Sequence, residues 1–458
     1  MGLSVVILAA GQGTRMRSPL PKVLHRLAGK SLLEHVVATA LKLDAGKILV
    51  VYGHGGDAVP KQLIRLPVQW VEQAPQWGTG HAIAQALPHI PAADTVLVLY
   101  GDVPLISAAT LQKLLTQAGR EGFGLLTARL ADPQGYGRIA RDGQGQVLRI
   151  VEHKDATPIE REIGEVNTGM MAMPAERLRG WLSQISNNNS QNEYYLTDII
   201  ALAVREGVKI ATVLADTATE IMGVNTKQQL AELERHHQRT QAEQLMLQGV
   251  TLCDPARFDL RGELTVGTDV VLDINVIIEG KVTLGDRVRI GPNNWIRNTA
   301  IGDDVQILPN CVIEDAVIAA GCRIGPFARI RPETRLAEGT HIGNFVEIKK
   351  STVGANSRIN HLSYVGDSTV GRDVNIGAGT ITCNYDGASK HQTVIEDGVF
   401  IGSDTQLVAP VTVGRGATIG AGSTITRDVP PDKLTLSRAQ QETRENWKRP
   451  VKKVKGKE

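Results

Sequence analysis

Ile318–Ile348 reads IAAGCRIGPFARIRPETRLAEGTHIGNFVEI, with an aliphatic residue at 318, 324, 330, 336, 342 and 348. A spacing of six matches neither the helical period of about 3.6 nor the strict alternation of a half-buried strand. It does match a short strand plus a tight turn, repeated on each face of a triangular coil. Upstream, the beat runs through Val266, Leu272, Ile278, Leu284, Ile290, Ile296, Ile301, Ile307 and Ile313. Downstream it continues as Val353, Ile359, Val365, Val370 and Ile376, then Ile401, Leu407, Val413, Ile419 and Ile425. Of these 25 positions, 13 are followed by glycine, whereas 47 Gly in 458 residues would give two or three. The expected fold of this half is a parallel β-helix in which each coil buries its aliphatic row only against its neighbours. On this reading the glycine gives the corner a backbone conformation that a side chain would obstruct.

The size of the chain and the patterns outside this region predict further domains, because 458 residues exceed what one core usually supports. From Ser4 to about Thr226, short aliphatic runs (Val5–Ala10, Ile48–Tyr52, Thr95–Tyr100, Gly124–Ala128) alternate with helical stretches such as Ser31–Leu43 and Ala108–Ala118. That alternation predicts an α/β unit, a mostly parallel sheet covered on both faces, with its ligand cleft at the carboxyl ends of the strands. Thr226 to Gln248 contains no Gly or Pro and is rich in Gln, Glu, Leu and Arg, so it reads as one long spacer helix stopped at Gly249. The expected domains are 1–226, a linker helix at 227–249, and 250–458.

Composition narrows the function. Lys plus Arg number 50 against 48 Asp plus Glu, so no global charge points to nucleic acid and any anion site is local. Four cysteines without CxxC spacing fit unpaired thiols in a reducing cytoplasm. No apolar run is long enough for a membrane span, and the apolar start lacks a basic leader. Lys448 to Lys457 (KRPVKKVKGK) reads as a basic tail of the kind that is mostly solvated, with nucleic-acid binding and contact with a phosphate-rich cofactor as the alternatives.

The first strand runs into Leu8, Ala9, Ala10, Gly11, Gln12, Gly13, Thr14, Arg15, Met16, followed by Pro21 and Lys22. Two glycines let main-chain amides approach a phosphate chain, and Arg15 and Lys22 can neutralise it. The spacing is neither GxxxxGK[ST] nor GxGxxG, which weighs against a P-loop and a dinucleotide fold. Asp102 follows the run Thr95–Tyr100, so its carboxylate leaves the end of a strand. On the residues alone it is either a turn Asp satisfying local amides before Pro104 or an oxygen ligand to a hard divalent ion.

The string LAAGxGTRM with its trailing Pro-Lys resembles the signature of sugar-nucleotide pyrophosphorylases. The likeness continues through Gln73–His81, Tyr100–Pro104, Gly135–Arg138, Val151–Lys154, Asn167–Gly169 and Gly223–Asn225. It implies in-line attack of a sugar 1-phosphate on the α-phosphorus of a nucleoside triphosphate, with Arg15 and Lys22 as catalytic cations and Mg2+ held by Asp102 and Asn225. It further implies that Leu8, Ala9, Ala10, Gly11, Lys22, Gln73, Gly78, Thr79 and Asn225 hold the nucleotide, and that Gly137, Glu152 and Asn167 hold an acetylated sugar. Gln12 is a departure, since relatives often carry a basic residue there.

In the repetitive half the informative residues interrupt the beat. Twenty-five residues separate Ile376 from Ile401; Thr382 and Ile395 keep their places, so Cys383 to Val394 is expected as an external loop. Arg331 and Lys349 are 18 residues apart, one triangular turn, so they are expected on one side, one coil apart, placed to grip a phosphate. His361 stands nearby in Asn360–Tyr364; a histidine titrating near neutrality can act as a general base.

These residues, with Phe327–Pro332, Gly343–Lys350, Asn375–Gly379 and Asn384–Gly387, resemble the acetyltransferase half of the bacterial family that combines N-acetylglucosamine 1-phosphate uridylyltransferase with glucosamine 1-phosphate acetyltransferase. That likeness covers essentially the whole chain and implies a left-handed β-helix. It assigns His361 as base; Arg331, Lys349, Tyr364 and Asn375, with Lys390 beside them, to glucosamine 1-phosphate; and Ala378, Asn384, Tyr385, Ser403, Ala421 and Arg438 to acetyl-CoA. It also implies UTP as the nucleotide, a UDP-sugar supplied to peptidoglycan and lipopolysaccharide synthesis, and a cytoplasmic homotrimer without nucleic-acid or membrane partners. The other reading keeps only the nucleotidyltransferase and makes the prism a scaffold.

Overall fold

The computed structural model describes residues 2–450, so most of the basic tail lies outside the described residues. The chain forms two compact units, Met1–Thr240 and Gln241–Glu458.

The first unit is built on a nine-stranded sheet. Its strands are β1 (Leu3–Leu8), β2 (Lys47–Tyr52), β3 (Gln69–Glu72), β4 (Thr95–Tyr100), β5 (Gly124–Arg129), β6 (Arg138–Arg141), β7 (Val147–Val151), β8 (Glu165–Pro174) and β9 (Ala211–Leu214). They lie in the order β9-β5-β8-β4-β1-β2-β3, and β6 pairs with β8 and β7. β4, β1, β2 and β3 run parallel, whereas β8 is antiparallel to both of its neighbours on that path. Alternate residues of β1 enter different cores: Val5 and Ile7 on one face, Val6 and Leu8 on the other. Burial on both faces is why the strand reads as an unbroken aliphatic run.

Helices α1 (Leu32–Leu41), α2 (Thr79–Ala86) and α3 (Ala108–Glu121) fall where the sequence placed α1 and α3. Ser31 caps α1 by accepting from the Glu34 amide, while the Glu34 carboxylate accepts from the Ser31 amide. The long helix α4 (Lys227–Leu247) ends before Gly249, whose φ of +95° stops it. It is more than a spacer. Leu233 packs with Met16, Leu27, Leu32 and Val224 of the first unit, and Glu234 accepts from the Ala28 amide at 2.6 Å. In the second unit, Ala242 and Leu245 join the prism core.

The second unit is the left-handed parallel β-helix. Ile290, Ile307, Ile324, Ile342, Ile359, Ile376, Ile401 and Ile419 stack in register along one face. All 25 beat positions are buried except Val266, which is partly buried. Buried Ser and Thr near the corners donate to main-chain carbonyls, as Ser357 does to Gly371 at 2.7 Å and Thr405 to Gly402 at 2.7 Å. Inward hydroxyls such as these are thereby satisfied without water, whereas Thr393 Oγ1 is buried without a partner.

Two expectations need correction. Of the 13 glycines after beat residues, only Gly325 has positive φ; the left-handed corners fall instead to residues such as Asn293, Asp304 and Asn356. The glycines are there because adjacent coils approach closely: a β-carbon at Gly285 would stand 2.7 Å from the Asp303 amide nitrogen. Second, the external loop is shorter than Cys383–Val394. Cys383 ends the strand Ile381–Cys383 and pairs with Val408, while Thr393 and Val394 begin Thr393–Ile395 and pair with Val411 and Thr412. Backbone pairing extends past the aliphatic position, leaving 384–392 outside. The coil also continues past the last aliphatic beat position, for Leu434–Thr435 still pairs with Thr418–Ile419.

Candidate active sites

In the first unit a cleft of about 460 Å³ opens at the carboxyl ends of β1 and β4. Leu8, Ala9, Ala10, Gly11, Lys22, Gln73, Gly78, Thr79 and Asp102 line it, together with Gln12, Gln76 and Glu193. Among the described residues, the amides of Gly11, Gln12 and Gly13 have no acceptor, and free amides of this kind suit an anion. Gly13, at φ +61°, has a further reason to lack a side chain: its β-carbon would stand 2.7 Å from the Lys22 Cβ. Gly78, at φ +104°, turns the chain into α2 where a β-carbon would meet the Tyr194 carbonyl at 2.7 Å.

Asp102 and Asn225 converge on one cation. The Lys22 ammonium is ion-paired with Asp102 Oδ2 and donates to Asn225 Oδ1 at 3.1 Å. One carboxylate oxygen and one amide oxygen around a positive charge suit a magnesium ion whose remaining ligands are phosphate and water. Among the described residues no group of three or more His, Cys, Asp or Glu forms a self-sufficient metal cage. Arg15 lies apart from Lys22, in an adjoining cavity of about 240 Å³ with Asp102, Gln134, Tyr136 and Asn225.

Gly137, Glu152 and Asn167 do not line the large cleft but sit together beside it. Asn167 donates its amide to the Gly137 carbonyl at 2.8 Å, and a β-carbon at Gly137 would stand 3.5 Å from Glu152 Oε2. Burial pushes the Glu152 carboxyl above its usual pKa, opposed by the hydrogen bond from Thr197 (3.0 Å) and reinforced by Asp198 and Asp155. Tyr100 joins the two cavities; its phenol is partly buried, and desolvation raises its pKa, helped by Glu152 and Asp102. Glu193 and Thr197 escaped the sequence reading because no spacing signal marks them, whereas Gln76 and Tyr136 stand inside motifs that were quoted without singling them out.

On the prism, residues recurring two places after the aliphatic row form a column at one corner: Asn344, His361, Ala378, Ser403 and Ala421, one per coil. His361 is exposed, with Nδ1 at 2.9 Å from Asn344 Oδ1. Arg438 donates to the Ala421 carbonyl at 2.8 Å. Beside the column, Phe327, Phe345 and Leu362 are exposed, the two rings stacked at 5.2 Å.

The face after this corner carries Arg331, Lys349 and Tyr364. Arg331 and Lys349 lie on adjacent coils, since Ile330 pairs with Ile348. Each has a carboxylate partner, Glu347 at 2.7 Å and Asp367 at 3.4 Å. Asp367 also accepts from Asn384 at 2.5 Å, and Asn384 approaches the Tyr364 hydroxyl at 3.4 Å. Asn384 therefore belongs spatially with the cationic face rather than with the corner column, while Tyr385 is exposed on the loop, its hydroxyl donating to the Gly387 carbonyl at 2.5 Å. Contact with the Lys349 ammonium pushes the Lys390 pKa down. Asn375 lies on the face preceding the corner, where it pairs with Arg358 and Phe400. The hub residue Asp367 was not foreseen, since nothing in the beat marks it.

The four cysteines are free, and no described helix is long and apolar enough to cross a membrane. The family model for the MobA-like NTP transferase domain matches residues 5–165, and that for the bacterial transferase hexapeptide (six repeats) matches 298–332 and 392–427. The chain is 60% identical over 453 residues to the Bifunctional protein GlmU of Methylococcus capsulatus, covering 99% of this chain and 98% of that one. It is 59% identical over 454 residues to the Bifunctional protein GlmU of Aromatoleum aromaticum, covering 99% and 100%. A solved nucleotidyl transferase from Methanothermobacter thermautotroptrophicus aligns with TM-score 0.38 and 20% identity over 52% of this chain and 99% of its own.

Proposed function

The chain belongs to the family of bifunctional GlmU proteins, and on that premise we propose that each compact unit carries one of its two reactions. It is a bifunctional enzyme that makes UDP-N-acetylglucosamine: acetyl-CoA acetylates glucosamine 1-phosphate, and the product then takes a uridylyl group from UTP with release of pyrophosphate. We assign the second reaction to 1–226 and the first to 250–458, with 227–249 between them.

For uridylyl transfer, the observation that supports the reading is the convergence of Asp102 and Asn225 on one cation. These two would hold Mg2+, which when bound supplies positive charge to the phosphate oxygens. Arg15, Lys22 and the amides of Gly11 to Gly13 neutralise and orient the triphosphate, Gln73, Gly78 and Thr79 hold the uracil, and Gly137, Glu152 and Asn167 hold the acetylated sugar. The sugar phosphate oxygen attacks the α-phosphorus, and the bond to the departing pyrophosphate breaks. Positioning and charge, rather than covalent chemistry, carry the rate.

For acetyl transfer, His361 takes one proton from the substrate ammonium and the freed amine attacks the thioester carbon; the C–S bond breaks, and the second nitrogen proton passes to the departing sulfur, so coenzyme A leaves as the thiol. Arg331, Lys349, Tyr364 and Asn375 hold the amino sugar phosphate, with Lys390 at the edge. Ala378, Asn384, Tyr385, Ser403, Ala421 and Arg438 hold acetyl-CoA. Asn375 stands on a different face from Arg331, and an apolar corner with Phe327, Phe345 and Leu362 is exposed. We therefore place neighbouring prisms of a homotrimer around this site, in a cytoplasmic protein without nucleic-acid or membrane partners.

The test is reciprocal. Asp102→Ala is expected to abolish UDP-sugar synthesis and spare acetyl transfer, and His361→Ala to do the reverse, each followed by pyrophosphate and thiol release. Loss of both activities in either variant would sink the assignment of separate sites.

A further inference from the structure

We propose that Asn344 is the positioning residue of the acetyl-transfer site: its side-chain oxygen accepts the Nδ1 proton of His361 and so leaves Nε2 as the lone pair that takes the substrate proton. The inference rests on the assignment of His361 as the base.

A neutral imidazole has one N–H and one lone pair, and the partner of one nitrogen decides which nitrogen is basic. His361 Nδ1 lies 2.9 Å from Asn344 Oδ1, and an amide oxygen can only accept. Asn344 and His361 are paired in register on adjacent coils, so the contact is built into the prism. In the same column the coil on the other side supplies Ala378, which has no polar side chain, so Asn344 is the column neighbour able to orient the ring.

Main-chain bonds fix the backbone on both sides. Leu362 donates to the Asn344 carbonyl at 3.1 Å, and the His361 carbonyl accepts from the Ser363 hydroxyl at 2.8 Å and the Gly379 amide at 3.4 Å. Gly343 permits this closeness, for a β-carbon there would run into the main chain of Asn360. The arrangement repeats the logic by which a base is held in the productive tautomer by a third group.

Two substitutions separate orientation from mere packing. Asn344→Leu keeps the approximate volume and removes the acceptor, whereas Asn344→Asp keeps shape and an acceptor-only oxygen. With full-length protein, Asn344→Leu is expected to lower kcat for acetyl transfer by roughly tenfold or more. Its KM for glucosamine 1-phosphate and for acetyl-CoA should stay within about twofold, and uridylyl transfer in the same preparation should be unchanged. Asn344→Asp should retain kcat within about threefold. Wild-type kcat in the Leu variant overturns the proposal, as does equal loss in both variants, which would mean that the amide donates to Nδ1 or only fills space. His361→Ala, assayed in parallel, distinguishes the two levels: if it retains acetyl transfer, the base assignment itself fails.

Discussion

The two units place charge in opposite ways. In the first, Lys22, Asp102 and Asn225 meet in a concave site although 80 and 203 residues separate the lysine from its partners. In the second, His361 and its column neighbours occupy an open corner, each supplied by the next coil of a repeat. A sheet with crossovers gathers distant residues at the ends of its strands; a coil gathers residues about one turn apart, supplemented here by the inserted loop that brings Lys390 to Lys349. The first kind of site is therefore deep and rests on several connecting segments, and the second is shallow, rigid and readable by counting.

The largest expected effect that would sharpen this contrast is removal of divalent cations. Treatment with EDTA should reduce uridylyl transfer by about three orders of magnitude, since phosphoryl charge is then unneutralised, and leave acetyl transfer at its original rate. An equal fall in both would break the division.

Next in size is a cavity in the prism. Ile359 is fully buried in the stacked row. Ile359→Ala should cost about 2–5 kcal/mol in the second unit, because neighbouring coils cannot collapse onto the gap. Urea titration followed by the two activities would show acetyl transfer failing at lower denaturant while uridylyl transfer holds its midpoint.

Smaller still is the expected cost of Gly285→Ala, about 1–3 kcal/mol from overpacking two backbones. The same change would be nearly neutral if the glycine merely freed a corner conformation, because its φ is not positive.

The smallest effect concerns Glu152, whose carboxyl is pushed up chiefly by burial. A carboxyl raised in the folded state carries its cost when ionised, so the cost is present at pH above the raised value and vanishes below the ordinary value of about 4.3. Glu152→Gln should therefore raise the melting temperature of the first unit at pH 7–8, with the gain fading toward pH 4, while KM for the sugar phosphate rises. A gain independent of pH would point to packing instead.

How much was legible differs between the halves. The beat located the buried rows, Arg331 beside Lys349, and the fixed places of Thr382 and Ile395 around an insertion. It misjudged the length of that insertion because strand pairing is made by backbone groups, which carry no residue code, and so extended to Cys383 and Thr393. In the first unit β1, β4 and the glycine loop were visible as local patterns, but the antiparallel placement of β8 was not, since strand direction leaves no mark on composition. Thr197 beside Glu152 was equally invisible, because a single long-range hydrogen bond has no period.

The sequence by itself determined the architecture of the prism, through a six-residue repeat that only one packing satisfies, and the family, through motifs retained in order along the chain. Tertiary structure alone decided the pairing of Lys22 with Asp102 and Asn225, the partner of each cation on the prism face, and the nitrogen of His361 that faces Asn344. These depend on distances set by how strands and coils stack, and stacking is a property of the whole fold rather than of any local run of residues.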